Sequence, residues 1–241
     1  MPPLIALPGT LLDGRSLDAL LSAVAAPPGT DARIELLGEC AALDEELDRL
    51  AALATTPSWW LGHSLGGIVA LQLAARHPQA VAGLLLLAAN GRAAPPTAAV
   101  RRQAQWQVAQ QHGLRALAQH KLGPGYGVGA DQTLVQTLAD QAQAVGITRF
   151  GHQLAYAGQR PTQVDRGPWL PVPVLALSAS DDTLCPSPQS DELAGLALPG
   201  VRARHVRLAG AGHLFPMQQP AWVAAQIRAF MQPPPIEESS R

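Results

Sequence analysis

Apolar residues fall along this chain in short continuous runs, separated by stretches in which they recur at helical spacing. Leu4-Ile5-Ala6-Leu7 is the first run, ended by Pro8-Gly9, the pattern of a buried strand stopping at a tight turn. From Ser16 to Ala25 the positions Leu17, Leu20, Leu21 and Val24 share one helical face, and Pro27-Pro28-Gly29 closes that segment. Arg33 to Leu37 reads as a second strand. Leu43 to Leu53 reads as a second helix, with Leu43, Leu47, Leu50 and Leu53 at helical spacing. A third strand is expected in the aromatic run Pro57-Ser58-Trp59-Trp60-Leu61, with a helix through Ile68 to Arg76 that breaks at His77-Pro78. Val81 to Ala89, with leucines from 84 to 87, is the fourth strand-like run.

Alternation of strand and helix implies a parallel sheet with helices on both faces, the α/β class. The pattern changes at Asn90-Gly91. Residues 92–167 contain no strand-like run. They hold helix-like segments near Thr97–Gln111, Leu114–Leu122, Asp131–Val145 and Ile147–Gly158, with a glycine-rich loop at 123–129 between the middle two. The α/β pattern then resumes with a strand at Val172–Ser178, a helix at Ser187–Leu196, a last strand at Arg204–Leu208 and an amphipathic helix at Pro220–Phe230. Trp222, Val223, Ile227 and Phe230 are its expected core contacts. The tail from Pro233 to Arg241 is polar and Pro-rich and is expected to fray. The expected organisation is a core of residues 1–91 and 168–241 with a helical cap of residues 92–167 inserted after the fourth strand.

Composition narrows the picture. The chain has 241 residues, 47% of them hydrophobic, enough for one sizeable core. A net charge of −1 gives no global field for nucleic acid or a membrane surface. Cys40 and Cys185 are too few for a disulfide framework, which fits a reducing compartment. The N-terminus shows no signal-peptide pattern and no apolar stretch approaches a membrane span, so a cytoplasmic location is expected. No cofactor or metal is called for. The glycine loop lacks a GK[ST] ending and a preceding strand, so it reads as a flexible lid connection.

The candidate chemistry centres on Gly62-His63-Ser64-Leu65-Gly66-Gly67, between the third strand and its helix. A serine with small residues two positions away on either side, at a strand-to-helix junction, is the nucleophile-elbow arrangement. Ligands of open α/β sheets bind at the carboxyl ends of the strands, so polar residues following later strands are the place to seek partners. Asp181 and Asp182 follow the strand ending at Ser178, and His213 follows the strand ending at Leu208. The order Ser, Asp, His is the one expected with such an elbow. In these roles His213 accepts the Ser64 proton and one of the two aspartates orients the imidazole. The oxyanion donors expected are the amides of Leu65 and Thr10, with Leu11 as the neighbour to Thr10. His63 is expected to point away from Ser64. His77 ends a helix, His205 lies within a strand, and His112, His120 and His152 lie in the cap.

Through Leu7-Pro8-Gly9-Thr10, Gly62 to Gly67, Asp182 to Pro186 and Gly212-His213, the chain resembles the α/β-hydrolase superfamily over nearly its full length. It is similar to small bacterial carboxylesterases of the pimeloyl-acyl-carrier-protein methyl ester esterase type. The resemblance favours Asp182 over Asp181, through its Asp-x-x-x-Pro spacing. It also implies six strands rather than eight, since the chain begins at the family's usual third strand. The family's oxyanion motif usually reads His-Gly where this chain has Pro8-Gly9.

The resemblance implies a serine carboxylic ester hydrolase with the triad Ser64, Asp182 and His213. Alternatives are a C–C bond hydrolase or a menaquinone-type lyase on the same triad, or a ligand-binding protein without catalysis. Charge adds one expectation: residues 92–167 carry 8 basic and 3 acidic side chains, against a net −5 over residues 1–91. Either this is a solvated helical face, or it docks an acidic partner such as an acyl carrier protein. Arg101, Arg102 and Tyr126 are the candidate substrate contacts, and Trp59 and Trp60 either help shape an acyl pocket or pack in the core.

Overall fold

The computed structural model describes residues 1–25, 31–128 and 130–232; Pro27-Pro28-Gly29, Gly129 and the tail from Pro233 lie outside the described residues. Its six-stranded sheet grows from the first apolar run. That run forms β1 (Leu4–Leu7), which pairs on one side with β2 (Ala32–Ile34) and on the other with β3 (Ser58–His63). The sheet continues through β4 (Val81–Leu87), β5 (Val174–Ala179) and β6 (Ala203–Leu208), in the order β2-β1-β3-β4-β5-β6 with every pairing parallel.

Alternation along the strands splits the core into two layers. Ile5, Leu7, Trp60, Leu84, Leu86, Val174 and Ala176 face one side, covered by α2 (Leu43–Leu53), α3 (Leu65–Arg76) and α8 (Ser187–Ala194). Leu4, Ala6, Trp59, Leu61, Leu85, Leu87, Leu175 and Leu177 face the other, under α1 (Asp18–Val24), α9 (Phe215–Gln218) and α10 (Pro220–Met231). Trp59 packs edge-on against Phe230, and Trp60 donates its indole N–H to Ala80 O at 3.0 Å. Both tryptophans are therefore core residues on opposite faces of the sheet, and neither lines a pocket near Ser64.

Between β4 and β5 the chain runs through α4 (Thr97–Leu117), a π-turn at Ala118–Leu122, α5 (Gly123–Gly125), α6 (Gln132–Val145) and α7 (Ile147–Gln159). Leu114, Leu117, Leu138 and Phe150 of this insertion form a third cluster with Leu11, Leu12 and Leu214. Leu11 follows β1 and Leu214 follows β6, so the insertion sits over the carboxyl ends of the strands. None of the described helices is long and apolar enough to cross a membrane.

Three expectations need correcting. The second strand is three residues at Ala32–Ile34 rather than Arg33–Leu37. It is an edge strand with β1 as its partner, and β1 ends at Leu7 before Pro8, which brings no N–H to a ladder. The first helix starts as a 3₁₀ turn at Gly14–Ser16 before α1. The glycine-rich stretch begins as helix: Tyr126 N–H donates to Leu122 O at 2.8 Å, and the chain leaves helical geometry only at Gly127, φ 76°. The two segments read on either side of His112-Gly113 are found as such: α4 is two helices that meet at a kink at Gly113, φ 83°, ψ 166°.

Candidate active site

β3 delivers Ser64 to the start of α3 through a turn that small residues alone permit. Ser64 itself takes φ 54°, ψ −115°, outside the regions open to ordinary residues, at a cost of about 1–3 kcal/mol. A Cβ on Gly62 would stand 2.3 Å from Gly67 N, and one on Gly66 would stand 2.0 Å from Leu7 O. Strand, turn and helix thus touch backbone to backbone. Ser64 N–H is tied to Leu87 O of β4 at 2.9 Å, which fixes the turn against the sheet.

The loops after β5 and β6 meet this serine. His213 Nε2 lies 2.9 Å from Ser64 Oγ, and His213 Nδ1 lies 2.8 Å from Asp182 Oδ2. A carboxylate only accepts, so Nδ1 carries the hydrogen and Nε2 is left to accept from the serine hydroxyl. The other carboxylate oxygen of Asp182 accepts from the amides of Leu184 and Cys185, each at 2.9 Å. Burial pushes the Asp182 carboxyl up, but the hydrogen bond and charge of His213, with those two amides, outweigh it and hold the group below the usual carboxylate range. Asp181 is exposed; its side chain accepts from Ser180 Oγ, and it does not reach the imidazole.

His63 makes no hydrogen bond to Ser64 among the described residues and packs beside His213 instead. It is fully buried, its ring centroid 5.2 Å from that of His213, and its Nε2 lies 3.0 Å from His213 O. The carbonyl can only accept, so His63 Nε2 carries the hydrogen, and Nδ1 has no partner among the described residues. Burial, then the charge of His213, push His63 down to about 3. It is a neutral strut under the loop that carries His213.

The loop after β1 supplies the other wall. Thr10 and Leu65 both line the cavity beside Ser64 and His213, and neither amide has a hydrogen-bond acceptor among the described residues. Leu65 opens α3, where amides lack partners within the helix and the dipole favours negative charge. Leu11, by contrast, has φ 58° and donates its amide to Gln153 Oε1 at 2.9 Å, so it is not free to serve an oxyanion. Gln153 Nε2 in turn donates to Leu37 O at 3.1 Å, and Gln141 Oε1 accepts from Asp13 N–H at 3.2 Å. Helices α6 and α7 of the insertion therefore hold the backbone on the far side of Thr10.

The cavity above Ser64 has a volume of about 290 Å³. Arg101, Arg102 and Tyr126 line it, as do Arg160, Asn90 and Cys185, which the sequence reading did not single out. Tyr126 stacks on the His213 ring with centroids 5.2 Å apart, and burial raises its phenol above the ordinary value. Burial and the nearby Asp182 charge push the Cys185 thiol up to about 12, so it stays protonated at neutral pH and is no rival nucleophile. Arg115, another arginine of residues 92–167, is paired with Asp140 and is not among the cavity's lining residues. His77 pairs with Asp48, and His205 Nε2 lies 2.8 Å from Ser178 Oγ, both away from Ser64. No cluster of His, Cys, Asp and Glu among the described residues suits a metal ion.

Gln141 and Gln153 carried a signal that was available. Gln153 sits three residues from Phe150 and from Tyr156 on the buried face of α7, and Gln141 lies on the buried face of α6 with Leu138 and Val145. A polar residue on an apolar helix face must find a buried partner. Arg160, Asn90 and Cys185 had no such marker.

Comparison with known proteins agrees with this architecture. The Alpha/beta hydrolase family model matches residues 4–226. Among solved structures, an esterase from Thermogutta terrifontis, solved with malate bound, has a TM-score of 0.80 at 22% identity, the match covering 95% of this chain and 89% of that one. MenH from S. aureus has a TM-score of 0.81 at 17% identity, covering 95% and 92%. An enol-lactonase from Burkholderia xenovorans LB400 has a TM-score of 0.75 at 20% identity, covering 95% and 91%. At such identities the likeness is one of fold. A search of curated proteins found no match. A family match over most of its length, on a parallel six-stranded sheet with a helical insertion, places this chain in the alpha/beta hydrolase family.

Proposed function

We propose that the chain is a serine carboxylic ester hydrolase that works through an acyl-enzyme. The observation that carries this reading is the hydrogen-bonded line from Asp182 through His213 to Ser64, ending in a cavity beside two amides without acceptors among the described residues. Ser64 is a weak nucleophile until His213 Nε2 takes its proton. The oxygen then attacks the ester carbonyl, and the Thr10 and Leu65 amides stabilise the negative charge on the tetrahedral intermediate. His213 passes the proton to the departing alcohol. It next takes a proton from water, which attacks the acyl-enzyme, and returns it to Ser64 as the acid leaves. Asp182 holds the imidazole in the required tautomer and stabilises its cation.

Helices α4 to α7 act as a lid that shapes the acyl site in this reading. An acyl carrier protein remains a candidate partner through Arg101 and Arg102, Arg115 being engaged by Asp140. A panel of p-nitrophenyl esters of increasing chain length tests the assignment. Turnover that is lost in Ser64→Ala supports it. Failure to hydrolyse any ester, with cleavage of a vinylogous 1,5-diketone instead, would move the assignment to C–C hydrolysis on the same residues.

A further inference from the structure

Residues 92–167 hold an excess of positive charge, and outside the Ser64 cavity its arginines are partnered. Arg92 pairs with Glu192, Arg115 with Asp140 and Arg149 with Glu39, while Arg166 lies 4.3 Å above the Trp169 ring. Arg101, Arg102 and Arg160 behave differently. All three line the cavity that contains Ser64, and none meets a carboxylate among the described residues. Among the described residues Arg160 donates only to backbone carbonyls, to Arg92 O at 2.9 Å and to Ala157 O. Arg102 lies across α7 at Gly158, where an added Cβ would stand 3.2 Å from its Nη2, so a side chain there would crowd the guanidinium.

Three guanidinium groups thus converge from α4 and from the end of α7 on one wall beside Ser64. Burial holds Arg160 below the usual arginine range; Cys185 opposes this, and the charges of Arg102 and Arg101 add to it, which shows that the three cations feel one another. A face kept basic for solubility alone has no need to set three arginines, Arg101 exposed and Arg102 and Arg160 half-buried, around one cavity. Gathering like charges at a partly desolvated wall is unfavourable unless an anion completes it, and planar guanidinium groups are suited to carboxylate and phosphate.

We propose that this wall is an anion subsite, and that the substrate is a small ester carrying a carboxylate or phosphate group that lies against Arg101, Arg102 and Arg160. The inference rests on the ester-hydrolase reading of Ser64. The cavity volume of about 290 Å³ is at the lower end of the roughly 300–1,000 Å³ typical of small-molecule sites. Arg101 and Arg160 also line a neighbouring hollow of about 490 Å³, whose lining includes Arg92 and Asp165.

Methyl esters of matched chain length, ending in a methyl group, a carboxylate or a phosphonate, test the proposal. The unaltered protein is expected to favour a charged ester by roughly tenfold or more in kcat/KM, the scale of one charge-assisted hydrogen bond. The faster of the two charged esters identifies the group. Added salt is expected to narrow the preference. In the double variant Arg101→Gln/Arg102→Gln the ratio of charged to neutral turnover is expected to fall towards one. An absent preference in the unaltered protein, or equal losses on charged and neutral esters in the double variant, would overturn the proposal.

Calorimetry on Ser64→Ala protein separates this claim from the catalytic one, because it needs no turnover. Glutarate or methylphosphonate is expected to bind where uncharged glutaramide does not. Absence of binding by both anions would remove the subsite even if neutral esters are hydrolysed. Anion binding by a protein that hydrolyses no ester would leave the subsite and remove the hydrolase reading.

Discussion

Gln153 joins the insertion to the loop that carries Thr10, and replacing it measures what that join contributes. The side chain is 2% exposed and makes two hydrogen bonds, accepting from Leu11 N–H and donating to Leu37 O. Gln153→Met keeps the side-chain length and removes both bonds, with little cavity to relax into. Each orphaned buried backbone group costs about 1–3 kcal/mol, so the loss of stability is expected to be roughly 2–6 kcal/mol, at the lower end if a water enters. The catalytic effect is separate. Leu11 at φ 58° is a residue without glycine's freedom, held there in part by the Gln153 carbonyl. Once released, it is expected to relax and carry the Thr10 amide with it. Complete loss of an oxyanion donor costs on the order of 10²–10³ in kcat, so partial misplacement is expected to cost about 10–100-fold with KM little changed. Gln141→Met orphans only Asp13 N–H, farther along the loop, and is the control for destabilisation without displacement of Thr10. Urea unfolding and steady-state turnover of p-nitrophenyl acetate on both variants provide the comparison. If Gln153→Met loses stability but keeps kcat within about twofold of the unaltered protein, well short of that loss, the insertion does not position the oxyanion loop.

Two further outcomes follow from the hydrogen bonds around His213. In Asp182→Asn the retained carbonyl would keep the Leu184 and Cys185 amides and the new amide nitrogen would face His213 Nδ1, forcing the hydrogen onto Nε2. kcat is then expected to fall on the order of 10⁴-fold, and a loss below about tenfold in single-turnover acylation would show that the carboxylate does not set the tautomer. His63, pushed down to about 3, binds no proton in the fold over a range where an unfolded histidine does. Its folded value is depressed, so its contribution is fully present above about pH 6.5, the unfolded value, and is lost as pH falls towards the folded one. Urea denaturation of the unaltered protein between pH 7 and pH 4 is expected to decline more steeply than that of His63→Asn, by up to about 1.4 kcal/mol per pH unit; parallel declines would show that His63 is not buried neutral.

Much of this molecule could be read from its sequence because the deciding interactions are local. The stop at Pro8-Gly9, the small residues around Ser64 and the helix at Leu43–Leu53 each follow from steric or periodic rules acting within a few residues. What escaped depends on contacts distant along the chain. β2 ends where its neighbour β1 runs out of amides, which its own residues do not record. That His63 Nε2 reaches the carbonyl of a residue 150 positions later is likewise not written in its neighbours. Thr10 could be picked out from the turn after β1, but the φ 58° at Leu11 and its bond to Gln153 arise only when α7 is packed over that turn. Asp181 and Asp182 were separable by the family's spacing and not by propensity, and it is burial against His213 that distinguishes them in the fold.

The central claim is that Ser64 is a nucleophile activated by His213, and covalent labelling tests it most directly. A fluorophosphonate reacts with a serine whose proton a neighbouring base can take. Incubation followed by proteolysis and mass spectrometry is expected to place one adduct on the peptide containing Ser64, with labelling abolished in His213→Ala and in Ser64→Ala. Wild-type protein that stays unlabelled, or that carries the adduct on another residue, would contradict the account.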